Sequence, residues 1–267
     1  MRPSSFSRLA AATAVVAVAV ADSLHQRNVD SSSSVEGLNC NAPRNAPPLG
    51  QVITTCRSPG QVALTYDDGP YIHTSSLLDH LDDLNVTATF FLVGSNWGRQ
   101  MDEDEWASIV RRMHAAGHQL ASHTWDHEDL NLLDRAGRAQ QMRRNGDVFR
   151  NILGFAPRYM RPPFLSCGES CVADLSDMGY YVVDTDLDTN DWQHNTPETV
   201  HISERIFDDL LGWEPRGVSR IVLAHDTQST TVHRLTSHMI STLRGRGFEA
   251  VTVGECLGDP KNNWYWY

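Results

Sequence analysis

Asp67 and Asp68 stand side by side at the end of the apolar run Val62-Ala63-Leu64-Thr65-Tyr66, just ahead of Gly69-Pro70. Paired carboxylates at a strand end repel each other unless positive charge lies between or beside them. The rest of the chain supplies candidates: His123 and His127, four residues apart, and His225-Asp226 after another apolar run. One carboxylate and two imidazoles make a three-ligand metal site with open positions. The second carboxylate is then left as a base toward water that the metal activates. The pattern points to metal-assisted hydrolysis. Such a ligand set suits Zn²⁺, and Co²⁺ or another divalent ion can substitute. Spacing alone does not say which aspartate binds, because neighbours on an extended strand face opposite ways. If residues 123–127 coil, the two imidazoles fall one helical turn apart on one side.

Three other segments could complete such a site. In Arg161-Pro162-Pro163-Phe164 the two prolines fix the backbone after a strand, and the arginine could pair with an active-site carboxylate. Asp188-Thr189-Asn190-Asp191-Trp192 offers carboxylates and an aromatic wall. His225 ends a buried run and is suited to protonating a leaving group. Tyr71 and Trp97, in loops beside these motifs, are candidates for substrate contact. The aromatic end Trp264-Tyr265-Trp266-Tyr267 reads as a tail docked on the fold rather than a sugar platform.

The elements that must position these residues follow one repeating plan. Apolar runs at Val62–Tyr66, Thr87–Val93, Gln119–Ser122, Arg158–Met160, Tyr180–Val183, Arg220–Ala224 and Ala250–Val253 alternate with helical patterns such as 76–81 and 106–113. Gly117, Gly154, Gly179 and Gly247 sit where a left-handed helix stop precedes the next strand. Alternating strands and helices imply parallel pairing. Asp67-Asp68, His123, Arg161, Asp188 and His225 all follow the C-terminal ends of apolar runs, where a (β/α) barrel gathers its active site. Seven such units suit a barrel or a doubly wound sheet, and this gathering favours a barrel-like site in a single α/β domain of about seven parallel strands over 51–267.

Composition narrows the partners. The 267 residues are 40% hydrophobic and carry a net charge of −11, which argues against nucleic acid as a partner. Arg2 and Arg8 precede an apolar run, Leu9 to Ala21, that ends Ala19-Val20-Ala21. This describes a signal peptide over 1–21, too short for the ~20 residues of a membrane anchor. Residues 22–50, rich in Ser, Asn and Pro, read as a flexible leader. Export makes the five cysteines disulfide candidates. Cys167 and Cys171 would close a small loop, and Cys56 and Cys256 would tie the start of the fold to its end. Cys40 is then left over, with room for a covalent dimer, although a monomer is the expectation. Asn85-Val86-Thr87 is an N-glycosylation acceptor.

Taken in order, Thr65-Tyr66-Asp67-Asp68-Gly69-Pro70, His123-Thr124-x-x-His127, Arg161-Pro162-Pro163-Phe164, Asp188-x-x-Asp191-Trp192 and Leu223-Ala224-His225-Asp226 resemble the five motifs of the polysaccharide deacetylases, carbohydrate esterase family 4, with its NodB-homology domain. The Ser-Cys-x-x-x-Cys segment and Thr252-Val253-Gly254-Glu255-Cys256-Leu257-Gly258 resemble the fungal chitin deacetylases in particular. The resemblance implies a distorted (β/α) barrel that hydrolyses the N-acetyl group of N-acetylglucosamine units in chitin or its oligosaccharides. It also implies roles: Asp67 as general base, Asp68, His123 and His127 as metal ligands, and His225 as general acid. Arg161 would steady Asp67, Asp188 would tune His225, and the Phe164 backbone N–H would hold the oxyanion. Leu223 and Trp192 would line the acetyl pocket. The family more often has tyrosine where Phe164 stands. Peptidoglycan or acetylated xylan are the alternative substrates, and a non-catalytic chitin-binding protein, which should lack a ligand or the base, is the alternative outside enzymes.

Overall fold

A computed structural model describes residues 46–96 and 98–267. The expected signal peptide, most of the leader, Cys40 and Trp97 lie outside the described residues. Nine parallel strands form one sheet: β1 (Val52–Ile53), β2 (Gln61–Asp67), β3 (Thr89–Leu92), β4 (Gln119–Ser122), β5 (Tyr159–Met160), β6 (Tyr181–Val183), β7 (Leu187–Asp188), β8 (Arg220–His225) and β9 (Glu249–Val251). Their order is β1-β6-β5-β4-β3-β2-β8-β7, with β9 also paired to β2. The seven apolar runs each hold one of these strands. The two that pattern alone missed, β1 and β7, are two residues long, too short to show a period of two.

Connectivity forces this sheet to curl. Only Asp184, Thr185 and Asp186 separate β6 from β7, so the two strand ends lie within about 14 Å of each other. In a flat sheet, six strand spacings of ~4.8 Å would hold them ~29 Å apart. The sheet therefore bends into a distorted barrel whose open seam lies between β1 and β7. The three linking residues stitch that seam. The Asp184 amide donates to the Ile53 carbonyl (2.7 Å), the Thr185 hydroxyl to that of Ile221 (2.6 Å), and the Ile221 amide to the Asp186 carboxylate (2.7 Å).

Strand β2 is the hub. Arg220–His225 of β8 runs along one edge, while β9 covers Gln61–Ala63 and β3 covers Thr65–Asp67 on the other. Its side chains alternate as a two-sided strand requires. Thr65 and Asp67 point into the barrel toward Arg161, and Tyr66 points out, its hydroxyl 3.0 Å from that of Thr236. The outer layer is helical: α1 (Thr74–Asp83), α2 (Asp104–Ala115), α3 (Arg135–Leu153), α4 (Glu169–Asp177), α5 (Val200–Leu211) and α6 (Thr236–Gly245). Each lays an apolar stripe on the sheet, for example Leu77, Leu78 and Leu81 of α1 and Trp106, Ala107, Val110 and Met113 of α2. All four helix-stop glycines named from the sequence adopt φ between 76° and 87°.

The aromatic tail is structural up to its last residue. Trp264 is buried, its indole N–H donating to the Asp259 carbonyl, and the Tyr265 hydroxyl accepts the Leu120 amide at 3.1 Å. A side chain at Gly254 would stand 2.1 Å from the Trp264 indole nitrogen, so that site admits only glycine. No helix among the described residues is long and apolar enough to cross a membrane.

Both disulfides are present, Cys56–Cys256 across 200 residues and Cys167–Cys171 across 4. Loop-closure entropy makes the first worth up to about 5 kcal/mol and the second about 2 kcal/mol. Guanidinium unfolding of Cys56→Ala/Cys256→Ala should therefore show the larger loss of stability. Equal losses from the two pairs would rule out an entropic origin.

Candidate active site

The ends of the strands deliver the chemistry to one cleft of about 480 Å³, lined by Asp67, Asp68, His123, His127, Pro162, Phe164, Leu165, Asp188, Trp192, Leu223, His225 and Gln228. Parallel register sets its first pair. Asp67 of β2 is opposite His225 of β8, so carboxylate and imidazole leave adjacent strands on the same face.

Asp67 is 2% exposed, and its Oδ1 accepts Arg161 Nη1 at 2.8 Å. Arg161 is wholly buried. Its Nη1 also donates to the Thr65 hydroxyl (2.6 Å), its Nη2 donates to the Asp184 carbonyl (2.9 Å), and its guanidinium lies 4.2 Å from the Phe91 ring centre. With Oδ1 taken, Asp67 is left with Oδ2 toward the cleft, 3.8 Å from His123 Nε2.

Asp68 turns the other way because the backbone enters the left-handed region there, φ 76°. Its Oδ1 lies 3.5 Å from His123 Nε2 and 3.2 Å from His127 Nε2. These are the only three His, Cys, Asp or Glu residues, among those described, whose ligand atoms all lie within 4.8 Å of one another. The expected helical turn is not what joins the histidines. Residues 123–127 form a loop, with Thr124 at φ 69° and His127 at φ 61°. Gln141 and Asn145 of α3 hold that loop, Gln141 Oε1 accepting the Trp125 amide at 3.0 Å and Asn145 Nδ2 donating to the Thr124 carbonyl.

The donor chemistry of this cluster fits a divalent ion. His123 Nδ1 is 2.8 Å from the Arg161 carbonyl, which can only accept, so in the neutral ring Nε2 carries a lone pair toward Asp68. Asp68 Oδ1 is buried with no hydrogen-bond partner. An orphaned carboxylate oxygen facing two imidazole nitrogens is the arrangement a cation completes. Burial alone would raise the Asp68 carboxyl, but His123 and His127, with His225 behind them, hold it well below the usual carboxylate range.

On the opposite wall His225 Nδ1 donates to Asp191 Oδ1 at 2.7 Å, leaving Nε2 to the cleft. Asp191 is 1% exposed, and its Oδ2 accepts the His225 amide and the Thr231 hydroxyl, both at 2.7 Å. Burial pulls the imidazole down, but Asp191, assisted by Asp68 and Asp67, outweighs it and brings His225 up to about 10. The hydrogen-bonding partner of His225 is thus Asp191, not Asp188. Register places Asp188 beside Leu223, and Asn190, at φ 51°, turns the chain so that Asp191 reaches the imidazole. Asp188 keeps its own bond to the Asn190 amide (2.8 Å), and burial raises its carboxyl. The three-residue spacing of the two aspartates was the available signal, but it favours neither.

Phe164 and Leu165 follow the two prolines with φ of 59° and 55°, and the Phe164 ring meets His127 edge-on at 4.7 Å. Trp192 is half exposed and Leu223 nearly buried on the cleft wall. Tyr71 lies outside that wall, its ring against His73 at 5.9 Å. Sequence reasoning gave no role to Thr65 or Gln228, and named Asp226 only beside His225. Asp226 accepts the Thr74 hydroxyl at 2.6 Å and stands where any Cβ on Gly69 would lie, 2.2 Å from its Oδ2. Burial pushes its carboxyl up to about 7.

Two outcomes follow. Arg161→Met leaves the Asp67 carboxylate buried without its partner and should cost about 3–5 kcal/mol in guanidinium unfolding; a loss under about 1 kcal/mol would show the pair to be dispensable. His225 sits near 10 in the fold against 6.5 free, so its contribution is complete below the lower value and is lost as pH rises through the higher. Metal-stripped protein should therefore lose stability between these two values, and Asp191→Asn should flatten that slope. An unchanged slope would count against Asp191.

The chain has relatives that share this architecture. The polysaccharide deacetylase family model matches residues 54–183. A chitin deacetylase of Colletotrichum lindemuthianum is 48% identical over 222 residues, 83% of this chain and 89% of the relative. The structure of the chitin deacetylase from that fungal pathogen superposes with a TM-score of 0.81 over 82% of this chain and 97% of the other. A probable peptidoglycan-N-acetylglucosamine deacetylase of Arthroderma benhamiae is 42% identical over 84% of this chain and 50% of the relative. Likeness of this depth, in sequence and in fold over four fifths of the chain, makes the chain a member of the polysaccharide deacetylases, carbohydrate esterase family 4.

Proposed function

We propose that this protein is a secreted chitin deacetylase that hydrolyses the N-acetyl group of N-acetylglucosamine units, giving acetate and a free amine. The observation that carries the reading is the convergence of Asp67, His225 and the Asp68, His123 and His127 cluster in one cleft. Asp68, His123 and His127 would hold the metal, best read as Zn²⁺ with Co²⁺ as a substitute. When bound, it would polarise the acetyl carbonyl and lower the pKa of the attacking water.

Asp67 Oδ2 takes a proton from that water as its oxygen bonds to the amide carbon. Arg161, anchored on Oδ1, keeps the carboxylate aimed. The C–N bond then breaks, and His225 Nε2 gives its proton to the departing nitrogen while Nδ1 stays bonded to Asp191. The Phe164 backbone N–H is the donor assigned to the oxyanion, and Leu223 and Trp192 are assigned to the acetyl methyl group. Asp188 lines the same cleft and is assigned to substrate or to the charge balance of His225.

Residues 51–267 are the catalytic domain in this reading, acting as a monomer, with 1–21 as export signal and 22–50 as leader. The two disulfides suit an oxidising compartment. Asn85, exposed just past α1, is open to a glycan. Chitin oligosaccharides incubated with the enzyme should release acetate, lose that release on chelation, and regain it with Zn²⁺ or Co²⁺. Asp67→Asn should bind metal yet turn over at least 10²-fold more slowly. Acetate from peptidoglycan or acetylated xylan but not from chitin oligomers would reassign the substrate. No acetate from any of the three would leave a binding protein.

A further inference from the structure

A second group of imidazoles meets on the surface, outside the cleft. His73 stands immediately before α1, His80 lies on its last turn, and His233 belongs to the π-helical turn Thr231–Leu235. The His233 ring lies edge-on to both partners, with ring centres 6.0 Å from His73 and 5.7 Å from His80. The corresponding separation of His123 and His127 is 4.9 Å. The two ring separations are thus roughly 1 Å longer than that of His123 and His127, and the ligand atoms of the trio do not all lie within 4.8 Å of one another. His233 is exposed and His73 half-buried, so rotation of their side chains can take up that difference.

His80 supplies an independent observation. Its Nδ1 is 3.0 Å from the Val232 carbonyl, which can only accept, so Nδ1 carries the proton and Nε2 keeps its lone pair. His123 is fixed in the same way by the Arg161 carbonyl, and backbone anchoring of this kind characterises metal-ligating histidines. Partial burial, with the neighbouring His233, holds His73 below the ordinary imidazole range, so it offers a lone pair at neutral pH. A π-turn re-aims the side chains it carries, and here it turns His233 toward α1.

We propose that His73, His80 and His233 form a second metal site, selective for imidazole-binding divalent ions such as Zn²⁺, Ni²⁺ or Cu²⁺ over Ca²⁺ and Mg²⁺. An ion there would staple the segment that follows Asp67-Asp68 to the turn whose Thr231 hydroxyl holds Asp191. The site is distinct from the cleft and does not depend on the deacetylase reading.

Metal-stripped protein is loaded with Ni²⁺ or Zn²⁺, freed of excess, and its metal content measured by atomic emission. Wild-type protein should hold one equivalent more than His233→Ala, and His73→Ala should match His233→Ala. His201→Ala, which removes an exposed imidazole on α5, should match wild type. Circular dichroism checks that each variant is folded, and His127→Ala, which touches only the cleft cluster, should keep the surface equivalent. Identical metal content in wild type and His233→Ala would overturn the proposal. So would an equal loss in His201→Ala, which would mark the extra ion as non-specific.

Discussion

The buried contact between Arg161 and Asp67 is the constraint on which the rest of the barrel mouth depends. Two ions are costly to take out of water unless their hydrogen bonds are met, and the surroundings meet those of both Arg161 Nη atoms, leaving only its Nε without a partner. Arg161 spends its donors on β2 through Asp67 and Thr65, and on the seam through the Asp184 carbonyl. Its own carbonyl fixes His123. One residue therefore sets the aim of Asp67, the tautomer of His123 and the tie across the barrel seam. The Phe91 ring beneath the guanidinium fills the space that water would otherwise take.

The opposite wall repeats this logic with the charges exchanged. Asp191 is as buried as Arg161, and its oxygens accept from the His225 ring, the His225 amide and the Thr231 hydroxyl. Each reacting side chain is thus held by a fully enclosed partner of opposite charge. Asp226 has no such ionic partner, and burial drives its carboxyl up to about 7. Its bulk explains why Gly69 cannot carry a side chain.

Much of this was legible in the sequence, because seven of the nine strands of the sheet lie in apolar runs. The parallel sheet, the helix stops at Gly117, Gly154, Gly179 and Gly247, and the gathering of the motifs at one end all follow from local pattern. What escaped was non-local or conformational. β1 and β7 are too short to show a period, and they become strands only because the curled sheet offers them edges. Residues 123–127 have helical spacing, yet the loop wins because Gln141 and Asn145 satisfy its amides and carbonyls from α3. Asp188 and Asp191 are equivalent on paper. Only the left-handed turn at Asn190 decides which of them reaches His225.

The divided edge of β2 carries a consequence for how the chain reaches this state. During synthesis from the N-terminus, β2, β3 and β4 can pair as soon as residue 122 has emerged, and Asp68, His123 and His127 are all available by residue 127. The other edge of β2 has no partner until residues 220–225 are made, and the first half of the β3 edge waits for residues 249–251. An apolar parallel strand held open for that long is an aggregation hazard. Asp68, His123 and His127 are thus made in the first half of translation and His225 in the last fifth, so the Asp67–His225 register pair forms only when the chain is nearly finished.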